Sequence, residues 1–193
     1  MRKFAPASHR ASPKFVDAHQ MKNGLVYLRP TQLAYVRVVG PYNQSIPEAW
    51  DKLLGWVDKN GLNSPVGRGY GLARDNPSRV AADKCRYDAC IQVMPAFEEK
   101  AMREIGVITL PPGPYTRRRQ SGCYSELHTQ IPTMHQSIKM PTGLRLDDHR
   151  PLVTVFLDDP HHLDVKDLRA DICLPVSVIA ARERNKDRGS QAA

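Results

Sequence analysis

The chain has 193 residues, of which 41% are apolar, enough to bury a core in one sizeable domain or two small ones. No apolar run approaches the roughly 20 residues that span a bilayer, and the opening Met1-Arg2-Lys3-Phe4-Ala5-Pro6 lacks the apolar stretch of a secretory signal, so a cytoplasmic chain with no membrane span is expected. The net charge of +8 invites nucleic acid, but residues 1–24 hold +4 of it and residues 178–193 hold +2, and basic flanks do not place a helix or ribbon in a groove, so no specific DNA binding is expected.

In chain order, residues 1–24 read as a flexible basic leader, residues 25–177 as the folded domain and residues 178–193 as a polar basic tail. Leu33–Val39 is a β-rich run that stops at Gly40-Pro41, a turn signal. A helix is predicted next, with Ser45 as its cap and Glu48 completing a capping box. Ile46, Ala49, Trp50, Leu53, Leu54 and Val57 form its apolar stripe, and Asn60-Gly61 ends it. Two strands follow, Gly69–Arg74 and Tyr87–Val93, the second alternating Tyr87, Ala89, Ile91 and Val93 with Arg86, Asp88, Cys90 and Gln92.

The pattern then recurs. Gly40-Pro41-Tyr42 returns as Gly122-Cys123-Tyr124, and Gly61-Leu62 as Gly143-Leu144, both 82 residues on. Asp75-Asn76-Pro77 returns as Asp158-Asp159-Pro160, and Arg86 to Val93 as Arg169 to Val176, now 83 residues on. Four matches in order with one slip point to an internal repeat. The second copy runs through Tyr115–Arg119, a helical segment from Ser125 to Met140 that Pro132 kinks or delays, then Leu152–Leu157 and Ala170–Val176. The expected fold class is α+β, a duplicated β-α-β-β unit with pseudo-two-fold symmetry, antiparallel sheets with helices on one side and a cleft between the halves.

The order of elements, the Gly-Pro-Tyr after the first strand, the Trp-bearing helix, the Asp-Asn-Pro turn and the Arg-Tyr-Asp strand together resemble the GyrI-like domain family over roughly residues 25–177. That family includes stand-alone DNA gyrase inhibitory proteins and the effector-binding halves of AraC-type regulators. The resemblance implies a cleft that binds amphipathic, often cationic, small molecules. It also implies a glutamate two residues before a tyrosine on the strand that leads into the second Asp-Pro turn. Here that strand reads Leu152-Val153-Thr154-Val155-Phe156-Leu157, with Thr154 in the glutamate position and Phe156 in the tyrosine position. Taking a cation out of water costs several kcal/mol, and aromatic faces return only about 2 kcal/mol. A hydrophobic or aromatic neutral ligand is therefore expected over a cationic one, unless Asp88, Glu126, Asp147 or Asp148 reaches the cleft.

The candidate ligand-binding residues are Thr154, Phe156, Trp56, Tyr124 and Tyr70. Trp50 reads as core, and Tyr42 and Tyr124 as closing the same corner in each copy. Arg86 with Asp88, and Arg169 with Asp171, read as ion pairs on one strand face, and Arg117-Arg118-Arg119 as a solvated edge or an anion site. The cysteines Cys85, Cys90, Cys123 and Cys173 lack metal spacing and read as reduced thiols, and no metal, cofactor or catalytic residue is expected. The expected function is a non-catalytic module that senses or sequesters a small molecule. The alternatives are a DNA gyrase modulator, a detached effector half of an AraC-type regulator, and a GyrI-like hydrolase. The last is disfavoured because neither Thr154 nor Phe156 ionises; Cys123 near His128 is its residual candidate nucleophile.

Overall fold

The computed structural model describes residues 24–62, 67–93, 98–137, 140 and 142–179. The basic segments at both ends lie outside the described residues, apart from Gly24, Val178 and Ile179. Nine strands and three α-helices are present among the described residues. In chain order they are β1 (Gly24–Leu28), β2 (Gln32–Val39), α1 (Tyr42–Lys59), β3 (Gly69–Ala73), β4 (Arg86–Gln92), α2 (Glu98–Glu104), β5 (Val107–Thr109), β6 (Gly113–Ser121), α3 (Gln130–Ser137), β7 (Leu144–Leu146), β8 (Leu152–Phe156) and β9 (Arg169–Val178). A 3₁₀ helix over Tyr124–Thr129 leads into α3.

Every strand pair is antiparallel, and the order across the sheet is β1-β6-β9-β8-β3-β4-β2-β5, with β7 added to β9. The fold is therefore α+β, as expected. Chain length dictates its curvature. Residues 29–31 between β1 and β2 reach at most about 14 Å, whereas six inter-strand spacings in a flat sheet would hold those strands about 29 Å apart. Residues 110–112 impose the same limit on β5 and β6. The sheet must curl until its edges approach, and the two linkers touch where they meet, Leu110 N–H donating to Thr31 O at 2.8 Å.

Curling gives the sheet two apolar faces. The inner one buries Leu33, Tyr70, Leu72, Cys90, Leu110, Tyr115, Val153, Val155 and Cys173. The outer one, carrying Ala34, Val38, Ala73, Tyr87, Ala89, Ile91, Leu152, Ile172 and Leu174, is covered by α1, α3 and their neighbours. Ala49, Leu53 and Val57 of the stripe read from the sequence are buried against it, joined by Trp56, which lay outside that stripe, while Leu54 of the stripe is exposed.

Local details differ from expectation. Helix α1 begins at Tyr42 with Pro41 before it, and Ser45 Oγ donates to Gly40 O instead of capping a helix N–H. A proline preset near φ −55° starts the helix without a side-chain cap. In the second half Pro132 lies in the first turn of α3, where its missing N–H needs no partner, so the α-helix starts late.

The hydrogen bonds of the first half recur in the second. The hydroxyl of Tyr42 sits between the carbonyls of Asp75 and Arg86, at 2.7 and 3.4 Å; that of Tyr124 sits between those of Asp158 and Arg169, at 3.0 and 2.8 Å. Arg86 grips Asp75 through two bonds, as Arg169 grips Asp158. Gly40 N–H donates to Cys85 O and Gly122 N–H to Leu168 O, both 2.8 Å. The edge strands agree too: Leu33 faces Ile108 and Tyr115 faces Val26, so each leading strand pairs with the opposite half in matching register.

The expected Arg86–Asp88 and Arg169–Asp171 pairs do not form. Asp88 is fully buried on the inner face and is held by Arg37 directly across from it on β2, at 2.6 and 2.9 Å, and by Arg74 at 2.7 Å. Asp171 is held by Arg119 at 2.8 and 2.9 Å, with Arg117 at 3.5 Å. A residue directly opposite on the next strand is nearer than one two places along the same strand. Arg117–Arg119 is no solvated edge either, since β6 lies between β1 and β9 and Arg118 is buried beneath α3, donating to Ser137 Oγ at 3.0 Å.

Candidate ligand-binding groove

The centre of the sheet is the antiparallel pair β3 and β8, with Gly71 opposite Thr154 and Ala73 opposite Leu152. Alternation puts Gly69, Gly71 and Ala73 of β3, and Leu152, Thr154 and Phe156 of β8, on the helix-covered face. These residues form the face that lies beneath α1 and the Tyr124–Ser137 segment, where Gly71, Ala73, Leu152 and Thr154 are buried. Its β3 side has almost no side-chain height, and neighbouring aromatic groups lie over it. A Cβ on Gly71 would stand 2.1 Å from Tyr87 Oη, and one on Gly69 3.2 Å from Trp50 Cη2.

The aromatic groups form a chain. Trp50 Nε1 donates to Tyr87 Oη at 3.2 Å, the Trp50 ring meets Phe156 edge to face at 5.0 Å, and Phe156 meets Tyr124 at 4.8 Å. Burial pushes the Tyr87 phenol far above its ordinary range, and burial also raises that of Tyr124, so both are neutral hydroxyls at physiological pH. The Tyr124 hydroxyl is engaged with backbone, which leaves its ring as the part available to a ligand.

Three of the sequence candidates, Thr154, Phe156 and Tyr124, come together here. The other two lie elsewhere. Tyr70 alternates with Gly69 and Gly71, so it points into the inner face with Val153 and Val155. Trp56 is buried in the outer core, where its Nε1 donates to Glu104 Oε2 at 2.7 Å. Trp50 and Tyr87 were not among the candidates. The Gly69-Tyr70-Gly71-Leu72-Ala73 alternation was the available signal, since small residues on one strand face mark where bulky neighbours lie.

Among the described residues, no carboxylate takes the place of the missing glutamate on this floor. Asp88 and Asp171 point to the inner face and are already paired. Asp147 pairs with Arg150 at 2.8 Å and Asp148 with Arg79 at 2.6 Å; both flank a cavity of about 170 Å³ that opens beyond Ala73 and Leu152, beside His135 of α3. Glu126 borders a separate space of about 20 Å³ over Ala170, room for about one water. Cys123 Sγ lies 2.8 Å from Ser125 Oγ, and His128 Nδ1 bonds the Ser125 carbonyl instead of the thiol, so these two residues form no nucleophile and base pair. No helix among the described residues is long and apolar enough to cross a membrane.

Comparison with known proteins agrees with this architecture. The DNA gyrase inhibitor of Enterobacter lignolyticus (strain SCF1) is 32% identical over 77 residues, covering 40% of this chain and 48% of that one. The DNA gyrase inhibitor of Klebsiella pneumoniae (strain 342) is 25% identical over 163 residues, 83% of this chain and 100% of that one. For several of the curated relatives, including the first of these, the match spans only about half of their length. Among solved structures, the EcmrR C-terminal domain superposes with a TM-score of 0.60 at 14% identity, over 83% of this chain and 99% of that one, which establishes a shared fold. Residues 21–177 match the family described as the GyrI-like small molecule binding domain, and the chain belongs to that family.

Proposed function

We propose that this chain is a cytoplasmic, non-catalytic GyrI-like module that senses or sequesters a neutral aromatic small molecule, taken against Phe156, Tyr124 and Trp50 over the floor at Thr154. The observation that carries this reading is the uncharged aromatic cluster at the centre of the sheet. Thr154 is buried with no carboxylate beside it among the described residues, and three aromatic rings meet edge to face next to it. A cation entering would lose hydration worth several kcal/mol for about 2 kcal/mol of ring attraction, whereas a neutral ring loses little. Catalysis is disfavoured by the same residues, since Thr154 and Phe156 do not ionise and the Tyr87 proton is held too tightly to transfer near neutrality. This reading treats the halves as copies of one β-α-β-β unit, supported by the recurring Tyr42 and Tyr124 corners.

Isothermal titration with the neutral dye Nile red and the cationic dye rhodamine 6G tests it. Nile red should saturate and Phe156→Ala should weaken it at least about tenfold, the loss expected when a packed ring is removed. Tight binding of rhodamine 6G alone would sink the reading. The names of the curated relatives favour a second one, in which the domain modulates DNA gyrase. With a net charge of +8 the chain cannot act as an acidic DNA mimic. A supercoiling assay with purified gyrase decides this; unchanged supercoiling at micromolar protein removes gyrase as a partner.

A further inference from the structure

The two halves differ in side-chain size at positions 83 residues apart, and one of these differences leaves a hole. Phe156 ends β8 and fills the space against Trp50 and Tyr124. Its counterpart Ala73 ends β3 with a single methyl group, and over it opens the cavity of about 170 Å³. An apolar cavity of about 150 Å³ accepts one benzene ring. The hole therefore has the size of one aromatic ring, and the second half shows a ring in the equivalent place.

The chemistry of the lining narrows the occupant. Ala73, Leu146, Leu152 and Leu174 supply apolar surface. The charges around it are paired: Arg79 holds Asp148, Arg150 holds Asp147 and three backbone carbonyls, Arg74 holds Asp88, and Asp75 is held by Arg86. Arg74 shares Asp88 with Arg37, and each carboxylate of the lining is already paired, so none is left to hold a cation. One polar group is unmet. His135 lines the cavity; its Nδ1 is unpartnered among the described residues but sealed from solvent, so Nε2 is the ring nitrogen left for a ligand in the cavity.

We propose that this cavity is a subsite for a single uncharged aromatic ring bearing a hydroxyl, with the ring over Ala73 and the hydroxyl on His135. A hydroxyl both donates and accepts, so it satisfies the imidazole in either tautomer. The proposal rests on the reading of the domain as a receptor for neutral aromatic ligands and adds where a phenolic ring goes. The exposed Arg79–Asp148 pair joins the turn after β3 to the turn before β8 on the solvent side of the cavity, and it would have to part or tilt as the ring enters.

Isothermal titration of the full chain with phenol, toluene and benzyltrimethylammonium tests this. Phenol should saturate, about fivefold more tightly than toluene for one net hydrogen bond, and the cation should not saturate. His135→Leu should bring phenol down to the toluene affinity. Ala73→Phe, which copies the second half, should abolish phenol binding while Nile red still binds at Phe156. If Ala73→Phe does not fold, Leu146→Trp closes the cavity from its side and carries the same expectation. Failure of the native chain to saturate with phenol, or unchanged phenol affinity in the cavity-filling variants, overturns the proposal. Loss of Nile red binding alone would overturn only the reading of the aromatic cluster.

Discussion

The two halves of the domain build the same corners and strand pairings but fill them in opposite ways. In the first half Gly69, Gly71 and Ala73 keep β3 low while Tyr87 rises from β4 to cover it. In the second, Leu152, Thr154 and Phe156 stand tall on β8 and Ala170 takes the position 83 residues after Tyr87. The helices differ too: α1 runs 18 residues with Pro47 inside it, whereas its counterpart is a 3₁₀ helix followed by an eight-residue α3. Both open spaces follow from these exchanges, the larger over Ala73 and the smaller over Ala170. Matching corners and strand pairings thus enclose unlike spaces, because large and small side chains are traded between positions 83 residues apart.

The charged clusters of the inner face offer the largest test. Asp88 has no exposure and two arginines, whereas Asp171 retains slight exposure and its arginines Arg117 and Arg119 are 39% and 47% exposed. Removing Asp88 strands Arg74, 23% exposed, against the inner face, although Arg37, 36% exposed, can turn to water, so Asp88→Ala should cost about 3 kcal/mol. Asp171→Ala lets its arginines turn to water and should cost about 1 kcal/mol. Urea denaturation of both variants at constant m-value reads the difference. Equal losses would show that the two clusters are equally buried and that this asymmetry is unreal.

Overpacking gives the next effect. Gly71→Ala drives a methyl group into the Tyr87 hydroxyl, and relief requires shifting a phenol already hydrogen-bonded to Trp50, at a cost of about 2–3 kcal/mol. Combining Gly71→Ala with Tyr87→Ala, which imitates the Thr154 and Ala170 arrangement, should cost less than the sum of the two single changes. A double-mutant cycle measures that coupling, expected at about 1 kcal/mol or more. Strict additivity would mean that the two side chains do not compete for one space.

What the sequence made legible follows from how local each feature is. The strands, the α1 stripe and the Gly40-Pro41 corner depend on near neighbours and could be read directly. So could the face shared by Thr154 and Phe156, because period two is a backbone property. Partner choice was not legible. Asp88 has Arg86 two residues away, but Arg37 lies across the strand, and only the register of β2 on β4 reveals it. Tyr70 lies on the inner face because the sheet curls, a consequence of the β1–β6 and β5–β2 edge pairings that no window of sequence displays. Arg118 sits beneath α3 although three consecutive arginines read as solvated, since β6 is interior to the sheet.

The smallest effect concerns His135, which stands 82 residues after the fully buried Leu53 of α1. Burial lowers its affinity for a proton below that of an ordinary histidine; Asp148 opposes the shift and Arg79 adds to it. The unfolded chain takes up a proton near pH 6.5 while the folded one still resists, so the unfolded state binds more protons in that window and stability falls as the solution is acidified. The carboxylates Asp75, Asp147, Asp158 and Asp159 are also shifted down, but their contribution is lost only at lower pH, below the usual carboxylate range. Comparing pH 7.5 with pH 5.5 therefore isolates the imidazole from these groups. His135→Leu should flatten the loss between those two values by roughly a few tenths of a kcal/mol and leave the carboxylate-dependent loss below about pH 4 in place. An unchanged slope between pH 7.5 and 5.5 would mean that His135 is as free to protonate as an exposed histidine, and that the wall of the cavity over Ala73 is wetter than its buried Nδ1 indicates.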